Sequence, residues 1–336
     1  MQRANTSRGK ATILAVASLA GVSPSTVSRA LNSPELVNAA TRQRVLDTAE
    51  QLGYQPNRAA RSLVLGRTTS LGLIVPDITN PFFAPFIKAV QARTRTEDYA
   101  VFLADTDEDL ETEVRLARAM IKQVDGLLLC SPRMPGPTLR EIAEAIPTVV
   151  GNRSMRGVPW VAMENSVGVE QAVAHVRALG HTRVAYLSGP RGSWSGQQRR
   201  KAYEAACKEH GIALTVLGPN EPRFPGGYRA ADEALAAGVT AVFSYNDLVA
   251  LGVLSRLGDR GVRVPDEMSV VGFDDIAMAS MSTPPLTTVV SPIATVAQAA
   301  AELLLARLSG APVRRPSGRE LETQLVIRST TAPAPG

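Results

Sequence analysis

Cysteine and histidine are scarce in this chain: of 336 residues, two are cysteines and three are histidines. Cys130 ends an apolar run and Cys207 falls inside a helical pattern. That placement supports neither a disulfide framework nor a metal site, so both thiols are expected to pack. His175, His181 and His210 have no thiol and no paired carboxylate beside them in sequence; they are expected to be surface or structural residues. Long apolar runs are missing too, since "LGLIVP" and "GLLLC" are far too short to cross a bilayer. The opening "MQRANTSRGKATILAVASLAGVS" has the basic start of a secretory leader. Its apolar stretch, however, contains Ser18 and runs straight into a capped helix bearing Arg29. No leader is expected, and the protein is placed in the cytoplasm. "GPRGSWSG" lacks the Gly-Lys-Ser/Thr ending of a phosphate loop.

What is present is a core-forming composition, 45% hydrophobic and 20% charged, in a chain long enough for two or three domains. The net charge of +5 is not spread evenly. Residues 1–66 hold eight Lys/Arg against three acids, Glu35, Asp47 and Glu50, which accounts for all of it; the remainder is neutral. A basic head on a neutral body points to a polyanionic partner for the head. The head also has caps and apolar periodicity that a solvated basic tail lacks. Thr12 is placed to cap a helix with Ile13, Val16 and Ala17 on one face, and Gly21 stops it. Ser23 caps a second helix with Pro24 at its first position, where a missing N–H costs nothing. Val27, Ala30 and Leu31 form its buried stripe. A third helix spans about Ala39–Leu52 and ends at Gly53. Three helices around a tight turn form a helix-turn-helix head. The segment from Pro56 to Gly66 is too short to be stable alone and is expected to be a linker that becomes helical on docking.

From Ser70 onward, apolar strand-like runs alternate with amphipathic helices. The strands are expected at 71–76, 100–104, 126–130, 147–151, 183–189, 240–245 and 269–273. The helices are expected near 82–95, 108–123, 166–179, 195–210, 227–237 and 246–258. Alternation of this kind predicts parallel sheets covered on both faces. It breaks near Met163–Asn165 and near Thr287–Pro292, which predicts two Rossmann-like lobes with the chain crossing between them. A helix in "PIATVAQAAAELLLARLSG" and a strand in "LETQLVIRS" follow. "TTAPAPG" is expected to be disordered.

At this point the chain resembles the lac repressor (LacI/GalR) family of bacterial transcription regulators. The resemblance rests on "AGVSPSTVSRALN", "LGYQPNRAARSL", "VPDITNPFF", "NDLVALGVL", "VPDEMSVVGFDD" and "PPLTTV", in the family's order, and covers about residues 12–328. It implies an all-α helix-turn-helix DNA-binding head (1–55), a hinge helix (56–68), and an α/β two-lobed effector core like periplasmic sugar-binding proteins (69–330). The N-lobe would comprise 69–163 plus 291–320, the C-lobe 164–290 plus 321–330, and residues 331–336 a disordered tail. It also implies a homodimer on a pseudo-palindromic operator, an allosteric repressor released by a small sugar or related metabolite, and no cofactor. No heptad-bearing extension follows Arg328, so a dimer is expected rather than a tetramer.

Residue by residue, the resemblance puts Pro24, Ser25 and Arg29 where base edges are read. An arginine there can fork onto guanine. Thr12, Ser23, Thr26, Ser28 and Asn32 fall where phosphates are held and register is fixed, and Tyr54 is placed among the DNA-binding residues. In the hinge, Leu63 matches a wedge that unstacks base steps, Arg58 meets phosphate, Asn57 caps, and Ala60 allows close approach. The effector is expected at the carboxyl ends of strands. Asn80, Asn152, Arg153, Arg199, Asn246 and Asp274 would supply polar groups there, and Phe82 and Phe83 ring platforms. Ser193, Trp194, Ser195 and Phe224 are placed as further lining residues. Asp247 is expected to be a helix cap. The chain departs from the family's pattern at Ala15, which bears on the phosphate contacts of the first helix, and at Ala202 and Asn152, so its effector cannot be copied from a relative. A free sugar-binding protein would fit the core but not the first 66 residues. A Rossmann-type enzyme would need a GxGxxG loop where this chain has "PDITNPFF".

Overall fold

The computed structural model describes residues 11–32, 34–54, 67–310 and 321–335. The chain divides into two units, Met1–Thr68 and Thr69–Gly336.

The first unit is built from α1 (Ile13–Ala20), α2 (Pro24–Asn32) and α3 (Ala39–Gln51). Thr12 Oγ1 accepts from Ala15 N at 3.3 Å and opens α1. Gly21 closes it at φ +66°, and Val22 N reaches back to Ala17 O at 3.0 Å. That left-handed cap is inexpensive only for glycine, and it makes the sharp corner between the helices. Ser23 Oγ accepts from Thr26 N at 3.1 Å, with Pro24 leading α2. Asn38 does the same for α3 through Thr41 N at 2.8 Å. Val16, Ala17, Ala20, Val27, Ala30, Val45 and Ala49 form the buried core, and Tyr54 packs half-buried against it. Leu14 is exposed, on the face of α1 away from this core.

The second unit holds two parallel sheets. Its first lobe contains β1 (Ser70–Val75), α4 (Phe83–Arg95), β2 (Ala100–Asp105), α5 (Leu110–Met120), β3 (Gly126–Cys130), α6 (Gly136–Ala145), β4 (Thr148–Gly151) and β5 (Trp160–Val161). The strand order is β2-β1-β3-β4-β5. The second lobe contains α7 (Ser166–Ala178), β6 (Arg183–Leu187), α8 (Trp194–Glu209), β7 (Ala213–Leu217), α9 (Phe224–Ala236), β8 (Ala241–Ser244), α10 (Asp247–Asp259), β9 (Ser269–Asp274), α11 (Ala277–Met281) and β10 (Thr287–Val290). The chain then returns as α12 (Ile293–Ser309) and ends with β11 (Gln324–Val326). The second sheet runs β11-β10-β9-β8-β6-β7, with only β11 antiparallel. β1, β3, β4, β8 and β9 are buried along their whole length, as parallel strands covered on both faces must be.

α12 buries Leu304 and Leu305 in the first lobe's core, against Leu71, Leu73, Leu128 and Val149 of that sheet and beside Phe86 and Val90 of α4. Crossing segments therefore join the lobes at residues 162–165 and 291–292. Residue Glu164 also ladders to the segment before β11, with Glu164 N to Leu321 O and Thr323 N to Glu164 O both at 3.2 Å. In the second lobe, α9 lies directly on α10. A Cβ at Gly227 would sit 1.9 Å from Val249 O, and one at Gly252 2.1 Å from Phe224 O. Only bare backbone fits at this contact.

Several elements differ from the sequence reading. α6 is absent from the helices expected above; it opens at Gly136 and Pro137, and proline is tolerated in a first turn. β5, β7 and α11 were also unforeseen, being two, five and five residues long with little periodicity. The stretch from Thr287 is not a break but β10; the crossing follows it.

The expected disordered tail is a correction. Thr330 is buried, Val270 N bonds to Thr330 O at 2.8 Å, and Ala334 N bonds to Leu179 O at 2.8 Å. His181 Nε2 donates to Ala332 O at 3.1 Å, and His175 Nε2 meets Thr331 Oγ1 at 2.9 Å. The Ala/Pro composition has no periodicity, but its backbone extends the hydrogen bonding at the start of β9, and the buried His181 and half-buried His175 anchor it. Residues 331–335 therefore belong to the second lobe. Cys130 and Cys207 are buried free thiols. Among the described residues, no helix is long and apolar enough to cross a membrane.

Candidate functional site

Two surfaces hold the candidate residues. On the head, the buried side of α2 is Val27 and Ala30, which leaves Pro24, Ser25 and Arg29 exposed on the other side. Ser25 and Arg29 are four residues apart and share a face. Ser23 Oγ lies 2.8 Å from Ser25 Oγ and 2.9 Å from Thr26 Oγ1, so the helix opens on a cluster of hydroxyls. No Asp or Glu occurs before Glu35. The exposed N-terminal face of α2 thus combines a helix N-terminus, hydroxyls and a guanidinium, and neither α1 nor α2 carries a carboxylate to repel an anion. Thr12 and Ser28 flank it, partly buried or exposed, while Tyr54 is half in the head's core. The Asn32 side chain and residues Asn57, Arg58, Ala60 and Leu63 lie outside the described residues.

In the second unit, loops at the carboxyl ends of strands in both lobes line a cleft. The first lobe contributes Asn80, Phe82 and Phe83 after β1, Glu108 after β2, Ser131 and Arg133 after β3, and Asn152 after β4. The second lobe contributes Ser195 and Arg199 from α8, Pro222 before α9, Tyr245 and Asn246 after β8, and Asp274 at the end of β9.

Arg199 is the centre of the second lobe's wall and is only 2% exposed. Its guanidinium stacks on Phe273 at 3.7 Å from the ring centroid. It donates to Tyr245 O at 2.6 Å, Asp274 Oδ1 at 3.2 Å and Asn165 Oδ1 at 3.2 Å. Burial raises the Asp274 carboxyl to about 6, with Arg199 opposing that rise. On the facing wall, Arg133 forks onto Glu108, Nε to Oε2 at 2.7 Å and Nη2 to Oε1 at 2.9 Å. Behind it, Glu113 accepts the backbone N–H groups of Arg133 and Met134, and burial raises its pKa. Asn152 sits at φ +58°, donates Nδ2 to Ser131 Oγ at 2.8 Å, and leaves Oδ1 buried without a hydrogen-bond partner. Asn80 Oδ1 accepts Phe82 N at 3.1 Å, and Phe82 and Phe83 meet edge to face at 5.0 Å.

Of the twelve cleft residues named from sequence, eight line it. Arg153 does not: its Nη1 donates to the carbonyls of Pro132 and Met134, bracing the loop that presents Arg133. Ser193 is buried as the cap of α8, accepting Gly196 N at 3.1 Å. Trp194 lines a separate groove with Met163 and Lys201 beside the crossing segment. Phe224 is 42% exposed and stacks on Tyr228. Asp247 is not a cap. Asn246 caps α10 by accepting Val249 N at 2.9 Å, while Asp247 is buried and accepts from Thr288 Oγ1 and Ile276 N. Burial, with Asp274 nearby, holds its carboxyl well above the usual range. Glu108, Ser131, Arg133, Pro222 and Tyr245 were missed. A signal existed for Tyr245, which directly precedes Asn246; "SPRMPGP" simply reads as a turn.

The mouth is clasped. Arg223 of the second lobe donates Nε to Asp77 Oδ2 of the first at 2.8 Å and also pairs with Asp107. Arg223→Ala is expected to loosen closure. Spin labels on the two lobes should then report a longer, broader distance distribution by pulsed dipolar spectroscopy. An unchanged distribution would show that the crossing segments alone set the closure.

Comparison with known proteins follows the same division. A family model for bacterial regulatory proteins, lacI family, matches residues 12–57, and one for the periplasmic binding protein-like domain matches residues 173–331. The ribose operon repressor of Halalkalibacterium halodurans is 32% identical over 324 residues, 95% of this chain and 97% of that protein. The lac repressor dimer bound to operator and the anti-inducer ONPF aligns with a TM-score of 0.87 at 26% identity, over 96% of this chain and 100% of that one. The complex of the transcriptional regulator CelR with cellobiose aligns at 0.69 and 32% identity, again over 96% and 100%. With a head, a two-lobed core and near-complete coverage at this identity, the chain belongs to the lacI family of bacterial regulatory proteins.

Proposed function

We propose that this chain is a sequence-specific DNA-binding transcriptional repressor of the cytoplasm, not an enzyme, and that a small carbohydrate bound between its lobes switches its operator affinity. The observation that carries this is one chain joining an acid-free, arginine-bearing helix face to a polar two-lobed cleft. α2 enters the major groove, with Arg29 on a guanine, Ser25 and Pro24 on neighbouring base edges, and Thr12, Ser23, Thr26 and Ser28 on phosphates. Asn57, Arg58, Ala60 and Leu63 act as the hinge. In the cleft, the rings of Phe82 and Phe83 suit the C–H faces of a sugar. Asn80, Asn152, Arg199 and Asp274 suit its hydroxyls. Closure about the crossing segments carries the signal, and a coupling of about 1–3 kcal/mol is enough for a switch. The working form is a homodimer on a pseudo-palindromic operator. Phe102 and Leu103, exposed on the edge strand β2, offer apolar surface to a second copy.

Operator selection from a random DNA pool, followed by fluorescence anisotropy at two salt concentrations, tests this. One palindrome should be enriched, and its affinity should fall steeply as salt rises. Arg29→Ala should weaken that palindrome by about ten- to a hundredfold while leaving non-specific binding nearly unchanged. No enrichment with or without candidate sugars, or an Arg29→Ala variant that selects like the parent, would overturn the reading.

A further inference from the structure

We propose that the cleft selects an uncharged polyhydroxy ligand against its phosphorylated or carboxylated counterpart, and that Glu108 sets this choice. The inference rests on the carbohydrate reading above and narrows it.

Two guanidinium groups line the cleft. If both were free they would call for an anion, but neither is. Arg133 is held by both oxygens of Glu108, and its Nη1 donates to Ser131 O at 2.9 Å. Arg199 is held by Asp274, Asn165 and the Tyr245 carbonyl. The four lining charges therefore cancel in two local pairs, and both pairs are nearly dry. Side-chain exposure is 7% and 16% for Arg133 and Glu108, and 3% and 5% for Arg199 and Asp274. A phosphate entering here would have to displace a carboxylate from its guanidinium or lie beside it as a like charge in a low-dielectric space.

A neutral polyol meets neither obstacle. Each guanidinium has five N–H donors, and the contacts above use only part of them, so ligand oxygens can still be met. The carboxylates keep lone pairs for hydroxyl donors. Asn152 Oδ1 is a buried acceptor without a hydrogen-bond partner. A hydroxyl satisfies it, whereas a fully ionised phosphate oxygen can only accept.

The two pairs are not equivalent. Asp274 is tied into the second lobe's core through Arg199 and its stacking on Phe273. Glu108 stands on the loop after β2 and pairs across to a different loop. Removing its charge frees Arg133 inside the cleft without touching a core helix. Glu108 is thus the separable filter, a specificity residue that acts by neutralising Arg133.

Isothermal titration of the full chain tests this with D-ribose, D-glucose, D-galactose and cellobiose beside ribose 5-phosphate, glucose 6-phosphate and galacturonate. The wild type is expected to bind at least one uncharged sugar and its anionic counterpart at least about thirtyfold more weakly. Glu108→Gln should tighten the anionic form at least about tenfold, and the Glu108→Gln/Arg133→Gln double variant should restore the discrimination. The proposal is overturned if the wild type takes an anionic sugar as tightly as its parent, a result that needs no variant. It is equally overturned if a folded Glu108→Gln protein keeps the parent's ratio. Binding of neither series would remove the carbohydrate reading and this inference with it, whereas an anion bound as tightly as its parent removes this inference alone.

Discussion

Arg199→Met is expected to lower the melting temperature by roughly 10 °C and to abolish ligand binding together. The temperature follows from the about 3–5 kcal/mol lost when one member of a buried ion pair is removed, spread over a domain of this size. The residue that suffers is Asp274. Burial already raises its pKa to about 6, and Arg199 is the group opposing that rise. Without the guanidinium, the carboxyl either takes a proton or remains a buried, unpaired charge. Arg199→Lys should behave more like the methionine variant than like wild type. An ammonium cannot lie flat on Phe273 while bonding Tyr245 O, Asp274 and Asn165. Arg199→Met/Asp274→Leu should recover most of the stability and none of the binding. Calorimetric unfolding beside ligand titration checks this. A double variant no more stable than Arg199→Met would show that the pair is not the source of the loss.

The second large effect is steric. Gly227→Ala should prevent the second lobe from folding to its native packing. The new methyl would lie 1.9 Å from Val249 O and 2.6 Å from Val249 C, and both atoms are backbone. No rotamer change relieves that contact, so α9 and α10 must move apart and open the core around Ala230, Ala231 and Val253. A loss of more than about 4 kcal/mol belongs to this class of change. Gly258→Ala, one helix away with nothing within 4 Å of the added carbon, should stabilise by about 0.5–1 kcal/mol. Chemical denaturation of the two variants should therefore give opposite signs. A Gly227→Ala protein as stable as its parent would refute the close-contact argument.

The local signals in the sequence were strong where the chain talks to its neighbours. Thr12, Gly21, Ser23 and Pro24 mark the two short helices because capping and left-handed turns are satisfied within a few residues. The buried parallel strands were legible as unbroken apolar runs. What failed was geometry set by distant partners. Arg133 lines the cleft only because Glu113, twenty residues earlier, holds its backbone and Glu108 its side chain. Arg153 looked like a ligand group because it is a charge at a strand end, yet it is spent on two carbonyls of a loop. Asn246 lines the cleft as expected, but the cap expected of Asp247 is supplied by Asn246 instead, since a cap and a buried acid cannot be told apart before Thr288 and Ile276 are in place. Residues 331–335 were misread because a strand-edge partner leaves no mark in composition.

The order of elements along the chain does not follow the order of the lobes, and this bears on how the protein is made. A ribosome releases the head first, and residues 12–54 can close on their own contacts. The first lobe's sheet emerges next, but Leu71, Leu73, Leu128 and Val149 lack the cover of Leu304 until α12 appears, after the whole second sheet save β11 has been synthesised. The second lobe waits longer still, for β11 and for the backbone of Thr330 at Val270. Both lobes are therefore completed only in the final stretch of translation, the first lobe before the second. Until then an apolar sheet face about four strands wide stands half covered on the nascent chain, and it is the surface a chaperone would hold.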